Sequence, residues 1–461
     1  MRLSDWLKPG VKVKRWFFFG LFGVLLIAFG FTELVTHRVY DFYYKLFYIC
    51  LNITGVFVIY ISGSEAIKST IALMNKGYIK MSLDSKKIES LITEKRLLVK
   101  GSKIVVIGGG TGLSTMLRGL KYYTSNITAI VTVGDDGGGS GDLREDLGIL
   151  PPGDIRNCIL ALADTEPIME DLLQYRFPEG RLKGQSFGNL FLAAMDGISD
   201  NFEDAVRKMS SVLAVTGKVM PVTLDDMQLI AYLENGNKIV GESNIPEEAK
   251  KQNSRIEKLM INPKNATPLE GALKAIEEAD AIVMGPGSLY TSILPNLLVK
   301  GISEGVKKSN ALKIYISNVM TQPGETDGFN VSDHISILRK YCGRDIVNCV
   351  IANTGAISQE MREKYKEQGS DYVNIDYKKL EDMGIDLVEK NLIRTRKGTI
   401  KHDSDYLAQI LVETIMEKKL LFDRKKIIEY MYLSQRIKER DKTEKKTLRA
   451  IMKDSSENKD A

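Results

Sequence analysis

Three glycine-rich segments could bind an anion, at residues 108–112, 134–142 and 285–292. Each follows a short apolar run, and the first and third also precede a stretch with helical spacing. Because glycine has no Cβ, such a segment can turn sharply and bring its backbone N–H groups close to a ligand. A helix that begins there points its positive N-terminal end at the same place, which favours phosphate. We therefore expect a phosphate-bearing ligand, such as a nucleotide.

The first segment does not match the dinucleotide fingerprint, because Leu113 or Thr115 stands where the third glycine is required. Nicotinamide binding is therefore not implied, and a tight structural turn is the alternative. The residues that we expect to contact the ligand here are Gly109, Gly110, Thr111 and Gly112.

The second segment begins with two adjacent carboxylates, Asp135 and Asp136. A carboxylate at the end of a strand can accept a hydrogen bond from a ribose hydroxyl, and two together could hold Mg²⁺ against phosphate oxygens. We predict both as ligand-binding and as metal-binding residues, with a flexible surface loop as the alternative. Asp154, Arg156 and Asn157 follow, at the start of an apolar helix. They could face the ligand, although Asp154 could equally cap that helix.

Other polar loops hold further candidate ligand residues. Ser186 and Asn189 open a helix, where either could serve as a cap. Gly285, Gly287 and Ser288 form a second glycine turn between a strand and a helix. Asn318 and Thr321 lie in a polar loop that follows another strand and could contact a base or a sugar.

Apolar runs at residues 103–107, 127–133, 281–284, 313–317 and 346–351 alternate with helical stretches. This pattern predicts an α/β fold with a mostly parallel sheet and helices on its faces. The loops that follow parallel strands share one edge of the sheet, where ligands bind. The candidate residues should therefore converge on one site, and that convergence carries the functional prediction.

Two apolar stretches near the N-terminus, residues 16–35 and 46–62, are long enough to cross a bilayer. Basic residues flank the pair on its outer sides, which predicts that both ends and the rest of the chain are cytoplasmic. A cleaved signal peptide or a buried soluble hairpin would be the alternative. We expect a membrane-anchoring hairpin at 1–65, a connector at 66–101, the ligand-binding core at 102–415 and a charged tail at 416–461.

The composition narrows the function. The net charge of +5 is small for 461 residues and does not favour nucleic acid as a partner. The four cysteines are scattered without a C-x-x-C pair, which argues against structural zinc and disulfides. With three histidines and no recognisable Ser-His-Asp set, no catalytic residue can be assigned. Transfer of a phosphoryl-type group would need no such set, so catalysis stays open.

The motifs KIVVIGGGTGLS, ITAIVTVGDDGGGSG, LGILPPGDIRN, SFGN, ADAIVMGPGSLYTSILPNLLV and SNVMTQPGETDG resemble the gluconeogenesis factor (YvcK-like) family, which is related to 2-phospho-L-lactate transferase. The resemblance covers about residues 103–355. It implies a Rossmann-like fold, a role in cell shape and in growth on gluconeogenic carbon sources, and binding of a UDP-sugar such as UDP-N-acetylglucosamine. The related transferases use Mg²⁺ and move a phospholactyl group.

At two positions the residue differs from the family pattern in a way that could change the chemistry of the site. Asp142 stands in place of an arginine and Gln185 in place of a histidine. The loss of a potential acid–base group at 185 favours a non-catalytic nucleotide-sugar sensor over a Mg²⁺-dependent transferase. We further expect a multi-pass protein of the cell membrane that forms homo-oligomers and acts with proteins of cell-envelope synthesis.

Overall fold

The structure is a computed structural model that describes residues 13–36, 42–77, 101–165, 167–396 and 398–420. The chain divides into two units, Met1–Arg96 and Leu97–Ala461. His37, most of the expected connector and most of the charged tail lie outside the described residues.

The N-terminal unit contains two helices, α1 (Val13–Thr36) and α2 (Phe42–Gly77). Both contain a stretch that is long and apolar enough to cross a membrane, at Phe18–Val35 and Tyr43–Glu65. The helices pack closely through glycines: a Cβ added to Gly23 would lie 2.9 Å from the Gly55 carbonyl oxygen. Helix α2 continues without a break past residue 65, where we expected the hairpin to end.

The second unit contains strands β1 to β12. Their bounds are β1 Ile104–Gly108, β2 Ile127–Val131, β3 Lys218–Pro221, β4 Gln228–Leu233, β5 Lys238–Val240, β6 Ile256–Asn262, β7 Ala281–Met284, β8 Leu312–Ile316, β9 Cys349–Asn353, β10 Asp386–Lys390, β11 Ile393–Arg396 and β12 Thr399–His402. Seven of them form one parallel sheet in the order β10-β9-β8-β7-β1-β2-β3, with helices on both faces.

The helices of this unit are α3 Gly110–Leu120, α4 Gly138–Leu147, α5 Gly153–Leu162, α6 Pro167–Gln174, α7 Phe187–Gly197, α8 Phe202–Val212, α9 Asn244–Lys251, α10 Glu270–Glu278, α11 Leu294–Leu298, α12 Ile302–Lys308, α13 Val331–Cys342, α14 Gln359–Glu367, α15 Tyr377–Asp382 and α16 Ser404–Ile415. A π-helical turn, Leu289–Ile293, precedes α11, and another, Met416–Leu420, follows α16. A 3-10 turn, Arg344–Ile346, precedes β9.

The predicted parallel α/β fold is confirmed, and the central strands β1, β7 and β9 are buried along their whole length. The strand expected at residues 346–351 begins later, at Cys349, and Ile346 belongs instead to the 3-10 turn. Two small antiparallel sheets, β5-β4-β6 and β11-β12, were not predicted. The second of these supplies side chains to the candidate site.

Candidate functional site

The glycine turns after β1 and β7 touch each other at the carboxyl edge of the sheet. Gly110 adopts a left-handed conformation with φ of 66°, and helix α3 begins there. A Cβ added to Gly112 would lie 2.5 Å from the carbonyl oxygen of Pro286, and one added to Gly287 would lie 3.5 Å from the Gly109 carbonyl oxygen. A Cβ at residue 112 would overlap the backbone of Pro286, so glycine is required there, and the predicted convergence of the two turns is observed.

The segment after β2 joins the same region, although it is not the flexible loop that we considered as an alternative. Helix α4 begins inside it, at Gly138. The Ser140 hydroxyl accepts a hydrogen bond from the N–H of Gly153 at 3.1 Å, which ties α4 to the start of α5. Helix α5 itself starts at Gly153, so Asp154 lies in its first turn and is not its N-cap.

Two adjoining clefts open at this edge of the sheet. The first, which we call the glycine cleft, has a volume of about 470 Å³. It is lined by residues of both glycine turns together with Glu242 before α9, the loop after β8, Tyr365 of α14 and residues of β12. Among the predicted ligand residues it is lined by Gly109, Gly110, Thr111, Gly112, Gly287, Ser288 and Asn318.

The second, which we call the arginine cleft, has a volume of about 620 Å³. Its lining includes the predicted residues Thr111, Arg156 and Asn157, and five cationic side chains in all: Arg118, Arg156, Arg176, Arg394 and Lys401. The two clefts share Thr111, Thr115, Lys401 and His402 along their common border. A single ligand could therefore extend through both.

At the two glycine turns, carboxyl groups of the protein accept hydrogen bonds from backbone N–H groups. The Asp154 carboxylate accepts from the N–H of Gly110, and the Glu325 carboxylate accepts from the N–H of Tyr290 and from the Ser288 hydroxyl. Burial raises the pKa of Asp154 to about 7, helped by the neighbouring charge of Asp135, and burial raises the pKa of Glu325 to about 7. The helix N-termini that we expected to face a phosphate thus already face carboxyl groups.

Glu242 completes a cluster of four carboxyl groups with Asp135, Asp154 and Glu325. It lines the glycine cleft and bonds to the Thr291 side chain. Burial, together with the charges of the three other carboxylates, raises its pKa to about 8. Neither glutamate was among the predicted ligand residues, although Glu325 lies in the motif SNVMTQPGETDG, because the cluster forms only when the loops meet.

Asp135 and Asp136 hold the backbone of this region. Asp135 accepts from the N–H of Gly137 at 3.0 Å, and burial raises its pKa. The two oxygens of Asp136 accept from the N–H groups of Glu242 and Ser243 at 3.0 and 2.9 Å. One N–H on each Asp136 oxygen leaves a second lone pair on each, so these bonds alone do not exclude a cation. No group of three or more His, Cys, Asp or Glu side chains in the described chain is arranged to hold a metal ion, and metal binding by Asp135 and Asp136 stays a prediction.

Arg156 is only 7% exposed and is held by neutral groups. It donates to the Ser186 hydroxyl at 2.8 Å and to Asn157 Oδ1 at 2.7 Å, while its buried Nε finds no acceptor among the described residues. Burial lowers its pKa to about 10, with a further contribution from Arg176. Ser186 also caps α7 by accepting from the N–H of Asn189, as the capping alternative anticipated.

The remaining candidates have mainly structural contacts. Thr321 is buried, and its hydroxyl accepts from the N–H of Asp371 at 2.8 Å. Gly285 has a φ of 83° and donates its N–H to the Ile107 carbonyl at 3.0 Å. Asn318 donates to Gln322 Oε1 at 3.1 Å and stays at the glycine cleft.

The two described histidines have different positions. His334 is fully buried, bonds through Nδ1 to the Asn330 carbonyl at 2.9 Å and contacts the ring of Phe329, which fits a structural residue. His402 lies at the border of the two clefts and bonds to the backbone of Ser317, and burial lowers its pKa to about 4. No role was predicted for His402, because residue spacing alone could not place β12 near β8.

The two residues that depart from the family pattern contact each other. Gln185 Nε2 donates to Asp142 Oδ2 at 3.0 Å, which links α4 to the turn before α7. A change at one position therefore alters the partner of the other. The pair connects the segment after β2 to the loop that holds Ser186 against Arg156.

We expect the substitutions Asp142→Ala and Gln185→Ala to be non-additive. Each should lower the free energy of unfolding by about 1 kcal/mol, and the double variant by little more than either one, because both remove the same hydrogen bond. Urea denaturation of the three variants measures the coupling energy. Strictly additive losses would show that the hydrogen bond contributes nothing to stability.

The comparison with known proteins agrees with this architecture. The family model for 2-phospho-L-lactate transferase CofD matches residues 104–393. A relative from Clostridium acetobutylicum is 63% identical over 446 residues, which cover 96% of this chain and 99% of the relative. The gluconeogenesis factor of Bacillus subtilis is 46% identical over 316 residues, which cover 68% of this chain and 98% of the relative.

A crystal structure of a Bacillus halodurans protein superposes with a TM-score of 0.66 at 44% sequence identity, and the alignment covers 68% of this chain and 99% of that protein. The shorter relatives thus match about two thirds of this chain. Together with the family model and the high identities, this likeness establishes that the chain belongs to the gluconeogenesis factor family, whose core is a CofD-like domain.

Proposed function

We propose that the protein binds a nucleotide sugar, of which UDP-N-acetylglucosamine is the first candidate, and acts as a regulator of cell shape and of growth under gluconeogenic conditions. The observation that carries this proposal is the adjoining pair of clefts at the carboxyl edge of the sheet. One cleft is cationic, and the other is lined by the glycine turns, the carboxyl group of Glu242 and Lys401. A ligand with anionic phosphates and neutral hydroxyl groups matches both.

Direct binding and turnover measurements test this proposal. The full-length chain, purified in detergent, would be titrated with UDP-N-acetylglucosamine in a calorimeter, and the same sample would be incubated with the ligand, Mg²⁺ and candidate acceptors. We expect saturable binding and no product. No detectable binding at millimolar ligand would overturn the nucleotide-sugar proposal.

The alternative function is a Mg²⁺-dependent transferase of the 2-phospho-L-lactate transferase type, which the match over residues 104–393 favours. Product formation that depends on Mg²⁺ would establish it. This alternative has weaker support, because no group of three or more His, Cys, Asp or Glu side chains is arranged to hold a metal ion among the described residues. We therefore place the sensor first.

The N-terminal helices support a multi-pass location in the cell membrane, with the CofD-like domain in the cytoplasm. Large apolar side chains of both helices are exposed, among them Phe22, Leu25 and Phe57 at 53%, 59% and 62%. Retention of the chain in the membrane fraction after a carbonate wash would support this location, and release by the wash would contradict it. Homo-oligomers and cell-envelope synthesis proteins remain proposed partners.

A further inference from the structure

The two clefts differ in charge, and this difference bears on how a ligand lies in them. The glycine cleft carries the backbone turns that normally attract phosphate. However, Asp154 and Glu325 already accept from N–H groups at these turns, and the carboxyl group of Glu242 lies at the same cleft. A phosphate placed there would find these two amides in use and would lie beside the carboxyl group of Glu242, which lines the cleft. The glycine cleft is therefore unfavourable for the charged part of a ligand.

The arginine cleft has the opposite character. Arg156 is a buried guanidinium whose two bonded partners, Ser186 and Asn157, are neutral, and its Nε is buried without an acceptor among the described residues. A buried charge is costly unless an opposite charge or a full set of hydrogen bonds compensates it. The structure around Arg156 provides neither completely.

Two neighbouring arginines make the arginine cleft still more favourable for an anion. Arg176 is exposed and donates a hydrogen bond to the Gly184 carbonyl. Because a carbonyl is neutral, this contact does not neutralise the guanidinium charge. Arg394 lies 3.9 Å from the Asp403 carboxylate, and its side chain is 66% exposed. Such a loose exposed pair contributes little and can exchange its partner for a phosphate. Guanidinium groups can bind phosphate through two parallel hydrogen bonds.

We propose that the arginine cleft holds the diphosphate of the ligand, through Arg156, Arg176 and Arg394, and that the glycine cleft holds a neutral, hydroxyl-bearing part. Carboxyl groups and backbone carbonyls of the glycine cleft would accept hydrogen bonds from those hydroxyls. This inference rests on the proposed function, and it assigns the phosphates to the cleft that the glycine motifs did not indicate. Thr111 and Lys401, at the common border, would lie where the two parts of the ligand join.

The roles of the two clefts can be distinguished by binding affinity. Inorganic pyrophosphate and UDP-N-acetylglucosamine would be titrated separately into the full-length chain in detergent. We expect pyrophosphate to compete with the nucleotide sugar. The variants Arg176→Gln and Arg394→Gln should each weaken both ligands roughly ten-fold, and Arg156→Gln roughly a hundred-fold, because each removes charged hydrogen bonds to phosphate. The variant Glu242→Ala should weaken the nucleotide sugar and leave pyrophosphate affinity within about two-fold.

The matched control is Arg207→Gln, which removes an arginine from the surface of α8 and should change neither affinity. If Arg156→Gln fails to fold, the affinity of Arg176→Gln for pyrophosphate tests the inference, because the Arg176 side chain is exposed and its substitution should not prevent folding. Wild-type affinity for pyrophosphate in both Arg176→Gln and Arg394→Gln would overturn the inference. If pyrophosphate binds and depends on these arginines while UDP-N-acetylglucosamine does not bind, the phosphate site stands and the proposed function fails.

Discussion

The variant Gly112→Ala is expected to lose about 3 kcal/mol of unfolding free energy, because a methyl group has no space between the two glycine turns. Its Cβ would lie 2.5 Å from the carbonyl oxygen and 2.9 Å from the carbonyl carbon of Pro286, and 3.3 Å from the Cα of Gly287. All three atoms belong to the backbone, so no side-chain rotation can relieve the overlap. The turns must move apart, which should also reshape the glycine cleft.

Thermal and urea denaturation measure this loss, and the matched control is Gly197→Ala. Gly197 is also helical, at the end of α7, but a Cβ added there meets no heavy atom within 4 Å. Alanine is the better helix former, so the control should be stabilised by up to about 1 kcal/mol. Equal stabilities of the two alanine variants would show that the turns do not pack as closely as the structure indicates.

The variant Asp154→Asn should reduce the pH dependence of stability. The pKa of Asp154 is raised to about 7, so the folded protein binds a proton more tightly than the unfolded chain does. The stability that this group contributes is present in acid and is lost as the pH rises through about 7. Asparagine does not titrate. We therefore expect the variant to gain roughly 2 kcal/mol relative to the wild type between pH 5 and pH 9.

Unfolding free energies measured at pH 5, 7 and 9 test this expectation. The wild type should lose stability over this range, and some slope should persist in Asp154→Asn, because Glu242 and Glu325 also have raised pKa values. Asp382→Asn, an exposed substitution on α15, serves as the control and should follow the wild-type profile. A pH profile of Asp154→Asn that is parallel to the wild type would contradict a protonated carboxyl group at this position.

Local sequence was sufficient for the elements that begin the fold. The apolar run before residue 108 and the glycines after it predict a buried strand, a tight turn and a helix, and β1, the Gly110 turn and α3 are observed. The same reasoning applies to β7 and its turn. The ends of the helices were predicted less well. Helix α4 begins within a segment that we interpreted as a loop, because three successive glycines give no helical signal.

Local sequence pattern is enough to predict a parallel α/β protein whose glycine turns share one sheet edge, because alternation of apolar strands and helices leaves few other arrangements. The residues that contact those turns become known only from the folded chain. Asp154 reaches the N–H of Gly110, and Lys401 and His402 reach the clefts from a hairpin almost 300 residues away. Such contacts depend on strand order and on the direction of each side chain, and residue spacing encodes neither.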